Sequence, residues 1–267
     1  MRDYLSQLVN KEKAFNRLNV TREYLQSYIL LILQKNNFFN IASFVGGTSL
    51  RFISQLPRFS EDLDFSLKIE QKDFDFLALI KALRIELQAA GYRLNISYKD
   101  NTNVYVAMIK FSELLYPLGL SSNLNQNLNI KLDIDTNPPK GATNQVSLVN
   151  KYLPLTLDHY DLSSIMSGKI NAIMTRKFVK GRDYYDIFWI LTTHPRIVPN
   201  MVMLNNALVQ FNISCKINDD NWKAELLKLI EGVDMKKVIS DVSSFIEDSI
   251  LIESFNINGF RLLLTAS

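Results

Sequence analysis

The chain is poor in the residues that staple or metallate a fold. Its 267 residues hold one cysteine, Cys215, and two histidines, His159 and His194. A single thiol excludes an internal disulfide framework and fits a reducing compartment. One Cys and two His do not make up the four ligands of a structural zinc site. Cys215 reads as a small buried hydrophobe rather than a nucleophile, and neither histidine has a catalytic partner pattern near it. Long hydrophobic runs are missing too. The longest, Tyr28 to Leu33, is far too short to cross a bilayer. The chain opens Met1-Arg2-Asp3-Tyr4, with an acid where a secretory signal has an apolar core. There is no internal repeat and no low-complexity tract. The expectation is a soluble cytoplasmic protein without membrane association.

What is present is ordinary for a globular chain: 47% hydrophobic and 21% charged residues. The length suits one large domain or two modest ones. A net charge of +3 is a mild basic bias, permissive of nucleotide or RNA binding but no demonstration of it.

Periodicity predicts the elements in order. Residues 3 to 18 suit one or two amphipathic helices. Thr21 is placed to cap a helix running to about Gln34, ended by Asn36 and Asn37. A short buried strand follows over Ile41–Val45, then a helix over Thr48–Gln55 stopped by Pro57, then a strand over Asp62–Lys68. Residues 73 to 90 are helical, with Gly91 at the C-terminal cap position. Tyr92–Lys99 and Val104–Phe111 read as a strand pair around the turn Lys99-Asp100-Asn101-Thr102-Asn103. Ser121 to Asn127 reads as a loop, and Asn129–Asp135 alternates cleanly as a strand. Asn137-Pro138-Pro139-Lys140-Gly141 breaks the sheet and reads as the start of an interdomain connection. From about residue 155 the pattern turns helical: Ser163 to Phe178, Trp222–Ile230, Met235–Glu247 and Ile250–Leu264.

Chemistry concentrates in Val45-Gly46-Gly47-Thr48-Ser49-Leu50-Arg51 and Arg58-Phe59-Ser60-Glu61-Asp62-Leu63-Asp64-Phe65. Strand alternation puts Asp62 and Asp64 on one face, with Leu63 and Phe65 on the other. Two adjacent carboxylates repel, and a divalent cation relieves that; hard oxygen ligands of this kind suit Mg²⁺, which takes one or two carboxylates plus substrate phosphates. The Gly46-Gly47 turn offers bare backbone N–H groups at a helix start, where an anion is favoured. On the later strand, Asp133 and Asp135 share a face, while Ile130, Leu132 and Ile134 take the other. Further on, Lys169 and Arg176 lie nearly two helical turns apart, on one face. Asp183 and Asp186 follow at i and i+3, among the basic residues Arg176, Lys177, Lys180 and Arg182.

These motifs together, Gly46-Gly47-Thr48-x-Leu50-Arg51, Arg58-x-Ser60-Glu61-Asp62-Leu63-Asp64, Lys169-x-x-Ala172 and Asp183-x-x-Asp186, resemble the AbiEii-type nucleotidyltransferase toxins, a branch of the DNA polymerase β-like superfamily. The resemblance runs from residue 46 to 186. It implies an α/β (α+β) fold, a polymerase β-like mixed sheet with flanking helices plus a helical C-terminal domain, divided at about 1–155 and 156–267. It implies NTP-dependent nucleotidyl transfer with Mg²⁺ or Mn²⁺ on Asp62 and Asp64 and a third carboxylate at Asp133, Asp135 being the alternative. Gly46, Gly47, Thr48, Ser49, Arg58 and Ser60 would bind nucleotide. Lys169, with Arg176, would neutralise phosphate charge. Asp186 would contact the sugar or base or assist deprotonation. The resemblance also implies an RNA acceptor, with a tRNA 3′ end as one form, and a cognate antitoxin protein. A protein or small-molecule acceptor, or a nucleotide-binding module without catalysis, are the other readings; intact Asp62, Asp64 and Lys169 speak against the last.

Overall fold

The computed structural model describes residues 2–100, 103–247 and 250–265. Its elements are the helices α1 (Arg2–Lys11) and α2 (Arg17–Lys35), strand β1 (Ala42–Val45), helix α3 (Gly46–Ile53), strand β2 (Leu63–Leu67) and helix α4 (Phe76–Ala89). Five strands follow: β3 (Arg93–Lys99), β4 (Val104–Ser112), β5 (Leu128–Asp135), β6 (Asn144–Asn150) and β7 (Pro154–Tyr160). The chain then turns helical through α5 (Leu162–Thr175), α6 (Gly181–Thr193), α7 (Met201–Gln210), α8 (Trp222–Glu231), α9 (Met235–Ser243), α10 (Ile250–Glu253) and α11 (Ile257–Thr265).

The seven strands form one mixed sheet in the order β3-β4-β5-β2-β1-β7-β6. β1 is antiparallel to β2 and parallel to β7, β2 is parallel to β5, and β5-β4-β3 form an antiparallel meander. The apolar residues of the alternating strands, among them Phe44, Leu63, Phe65, Ile109, Ile130, Leu132 and Ile134, meet Tyr24, Leu25, Ile29 and Leu83 from α2 and α4 in a buried core. Two compact units emerge: Met1–Ser54 with Phe59–Asn137 and Val146–His159, and Gln55–Arg58 with Pro138–Gln145 and Tyr160–Ser267. The chain passes between them more than once, and the 155/156 division expected from sequence falls inside β7. Among the described residues no helix is long and apolar enough to cross a membrane.

Several local expectations are corrected. The second helix begins at Arg17, so Thr21 lies inside it, and its hydroxyl donates back to the Arg17 carbonyl at 2.8 Å, as an interior helical threonine does. α3 begins at Gly46 rather than Thr48, so both glycines sit in its first turn. It ends at Ile53, four residues before Pro57. β6 and β7 were read as a connection leading into helix. β6 is an edge strand with Val146 and Leu148 exposed, so its apolar residues mark no core face; β7 does alternate, with Leu155, Leu157 and His159 buried. The expected helix over Met235–Glu247 stops at Ser243, and the one over Ile250–Leu264 breaks between Glu253 and Ile257. Cys215 is exposed, in the polar segment between α7 and α8, not buried. The middle of the expected β3–β4 turn, Asn101 and Thr102, lies outside the described residues.

Candidate active site

In the first unit, register builds the site. β2 and β5 run parallel with Leu63 opposite Leu132 and Asp64 opposite Asp133. Leu63, Phe65, Leu132 and Ile134 are buried on the core side, so alternation turns Asp64 and Asp133 to the other face. Asp62 immediately precedes β2. On the opposite flank of β2, Val45 pairs with Asp64, so β1 delivers Gly46 beside that aspartate. Gly46 has φ +79°, and a Cβ there would strike the Asp64 carboxylate, so glycine is required both for the backbone conformation and for the approach. The first turn of α3 thus abuts the carboxylate. No side chain caps it and it contains no acid, so its N–H groups point a positive dipole end toward the site.

The segment carrying Asp62 is anchored from two sides. Gln26 of α2 donates its amide to the carbonyls of Ser60 (3.1 Å) and Glu61 (2.9 Å). The Thr48 hydroxyl donates to the Asp62 carbonyl. Thr48 and Ser49 are fully buried, and among the described residues the Ser49 hydroxyl has no hydrogen-bond partner. The Thr48 hydroxyl thus braces the segment that carries Asp62. Arg51, the last motif residue of α3, is buried with its guanidinium 2.6 Å from Glu23 and 4.7 Å over the Phe59 ring. Glu23 also takes Lys151 (2.8 Å) and the Tyr152 hydroxyl (2.6 Å). Burial raises the Glu23 carboxyl, but the Lys151 and Arg51 charges outweigh it and hold it below the ordinary range.

Lys131, two residues before Asp133 on the same face of β5, reaches its carboxylate at 2.6 Å. Burial lowers the ammonium's pKa, but the hydrogen bond and charge of Asp133, with the charges of Asp62 and Asp64, raise it above the ordinary lysine value. The charges of all three carboxylates are thus felt at the Lys131 ammonium. Asp135, the alternative third acid, pairs across the strands with Ser66 and with Val104 instead of with Asp64. Its pKa is raised by burial, against a backbone hydrogen bond from Asn137.

In the second unit, the other predicted residues form a closed ion cluster. Arg58 grips Asp186 with two bonds of 2.6 Å, and both are almost wholly buried, at 1% and 0% exposure. Lys169 on α5 bridges Asp183 (2.8 Å) and Asp186 (2.7 Å) on α6. Arg176, the residue just past α5, pairs with Asp183. Burial disfavours charge on Lys169 and on Asp183. Their mutual attraction, reinforced at Asp183 by Arg176 and at Lys169 by Asp186, still raises the lysine and lowers the aspartate. Three cations face two carboxylates, and Arg176 is the partly exposed one, with 34% of its side chain in solvent. Gly181 starts α6 against α9: a Cβ there would meet the Val238 carbonyl, and its N–H donates to Asp241 at 2.7 Å.

Sequence reading missed Glu23, Gln26 and Lys131. Glu23 and Gln26 had a weak signal, lying beside the apolar positions Tyr24, Leu25 and Ile29 that α2 buries. Lys131 had one too, as a cation on the strand face with the acids.

A family model described as nucleotidyl transferase AbiEii toxin, type IV toxin–antitoxin system, matches residues 28–255. No curated protein matches. Among solved structures, JHP933 from Helicobacter pylori is 18% identical with a TM-score of 0.52, covering 92% of this chain and 88% of its own. A second H. pylori structure, described as a candidate nucleotidyltransferase, is 19% identical with a TM-score of 0.52 and covers 89% of each chain. At this identity the two likenesses establish the fold.

Proposed function

Because the chain belongs to the AbiEii nucleotidyltransferase toxins of type IV toxin–antitoxin systems, we propose that it transfers a nucleoside monophosphate from an NTP to the 3′ hydroxyl of an RNA, a tRNA 3′ end being the first acceptor to test. The observation that carries this is the Gly46–Asp64–Asp133 arrangement: a glycine-started helix pressed against a carboxylate whose cross-strand partner is a second carboxylate. An anion-binding helix start and an acidic face are the two halves of a triphosphate site.

Asp62, Asp64 and Asp133 offer only hard oxygen donors, with Asp64 and Asp133 opposite each other across β2 and β5, a donor chemistry that suits a divalent ion such as Mg²⁺. Among the described residues no group of three His, Cys, Asp or Glu is placed to hold a metal unaided. Asp62, Asp64 and Asp133 would hold the ion together with phosphate oxygens of the nucleotide, as is usual where Mg²⁺ takes one or two carboxylates. When bound, Mg²⁺ neutralises the triphosphate and lowers the pKa of the attacking hydroxyl. The first-turn amides of α3 hold phosphate oxygens. Thr48 and Gln26 fix the backbone on which Asp62 stands. In the displacement, the 3′ oxygen bonds to the α-phosphorus as its bond to the bridging oxygen breaks and pyrophosphate leaves. In the second unit, Arg176 keeps a partly exposed charge available to RNA phosphate, while Lys169, Arg58 and Asp186 hold α5 and α6 together.

The family implies a cognate antitoxin; on the proposed reading, toxicity would follow from blocked RNA 3′ ends. The test incubates the purified full chain with each labelled NTP and total cellular RNA, in Mg²⁺ and in chelator. Label at RNA 3′ ends in Mg²⁺ alone is the expected result. Failure to transfer from every NTP would overturn the reading. Label on protein instead of RNA would move the acceptor to the protein class.

A further inference from the structure

Lys131 stands in the acid site, and no role in nucleotidyl transfer has been given to it above. It sits on β5 on the same face as Asp133, with its ammonium 2.6 Å from that carboxylate. The β2–β5 register, Leu63 opposite Leu132 and Asp64 opposite Asp133, brings the start of β2 alongside it. Lys131 and Asp62 also line one cavity of about 300 Å³, with Arg22, Glu61, Asn127 and Asn129. The other charges facing this cavity are engaged with each other, Arg22 lying 3.3 Å from Glu61. Acids at neighbouring strand positions repel, and Lys131 is the cation set among them. Its side chain is 38% exposed, so its flexible stem is not locked in the core.

We propose that Lys131 is a tethered counter-cation of the acid site, neutralising Asp133 and its neighbours before substrate arrives, weakening binding of a divalent ion on its own, and so making metal entry depend on the nucleotide. This rests on the reading of Asp62, Asp64 and Asp133 as metal-holding. A divalent ion entering alone must draw Asp133 away from the ammonium and forfeit that pair. An ion entering with a triphosphate brings negative charge that gives the displaced ammonium a new partner. The device orders the two binding events and limits idle occupation of the site by metal.

The experiment measures Mn²⁺ bound to the purified full chain by equilibrium dialysis, as the excess of Mn²⁺ on the protein side, without ATP and with ATP on both sides of the membrane. It compares wild type, Lys131→Met, Lys131→Arg and the double variant Lys131→Met with Asp64→Asn. Without nucleotide, Lys131→Met should bind Mn²⁺ roughly tenfold tighter or more than wild type, the effect of removing one nearby like charge. Lys131→Arg should stay near wild type, and adding Asp64→Asn should cancel the gain. With ATP the difference between wild type and Lys131→Met should shrink. Equal Mn²⁺ affinity of wild type and Lys131→Met without nucleotide overturns the inference, as does a gain that survives loss of Asp64. If wild type binds Mn²⁺ with ATP in either case, the metal site stands and the role of Lys131 alone falls. If no variant binds Mn²⁺ even with ATP, both fall.

Discussion

Two charged clusters in this molecule are built from the same side-chain types and end in opposite states. On β2 and β5 the carboxylates outnumber the cation beside them, and they stand on the half-exposed face of the sheet. Between α5, α6 and Arg58 the cations outnumber the acids, and Asp183, Asp186 and Arg58 are buried to 3% exposure or less. The first arrangement leaves negative charge for a ligand to neutralise. The second satisfies itself internally, and breaking it leaves a charge in a poorly solvating interior. Both clusters carry motif residues, so on the proposed reading membership of a motif does not separate residues that meet substrate from those that hold the frame.

The sharpest way to break this comparison is Asp186→Asn. It strands the buried Arg58 guanidinium, and urea unfolding should show a loss of about 3–5 kcal/mol. Replacing the pair together, Arg58→Met with Asp186→Leu, should recover most of that loss, since an apolar pair of similar volume is often neutral in such a place. Next in size is Gly46→Ala. The positive φ alone costs about 1–2 kcal/mol, and the methyl pushes on the Asp64 carboxylate. Transfer should fall on the order of 10²-fold, as for an ångström-scale misplacement of a reacting group, read in steady-state assays beside a melting curve.

The same contrast shows how far the sequence could be read. The acidic face was legible because strand alternation has a period of two: Leu63 and Phe65 in the core dictate where Asp64 points, and Leu132 and Ile134 do so for Asp133. The Gly46-Gly47 turn ahead of a helix was legible from residue type, although α3 itself starts at Gly46 and takes both glycines into its first turn. What was not legible depends on partners remote in sequence. Arg58 and Asp186 are 128 residues apart, and Lys151 reaches Glu23 across the same separation. A motif arginine facing an unknown phosphate and one facing a buried aspartate look alike until the chain closes. β6 escaped because it is an edge strand whose Val146 and Leu148 stay exposed, whereas β7 carries a readable alternation of Leu155, Leu157 and His159 next to the helix that follows it.

A smaller effect separates the clusters by acid. The depressed carboxyl of Asp183 contributes stability that is complete above the ordinary aspartate value of 3.8 and is lost as pH falls through its lower folded value. Asp183→Asn should remove that part of the acid limb in urea midpoints taken from about pH 6 down to about 2. A limb of unchanged shape would place the acid sensitivity elsewhere, Glu23 being the other depressed carboxyl to examine. Smallest of all is Lys177→Ala. Lys177 is exposed, so its stability should stay within about 0.5 kcal/mol of wild type, where Lys169→Ala, exposing Asp183 and Asp186 to each other, should fall well outside that.

The most direct measurement is nucleotide transfer by Asp64→Ala in Mg²⁺, with the variant's urea midpoint taken on the same preparation. Asp64 stands where the helix start, the cross-strand acid and the required glycine meet. The account predicts transfer reduced at least about 10²-fold, the scale of one lost electrostatic contact to the reacting group, with the midpoint essentially unmoved. Transfer at the wild-type rate would contradict it, and so would a loss of transfer matched by a collapse of stability, since Asp64 would then belong with the structural acids.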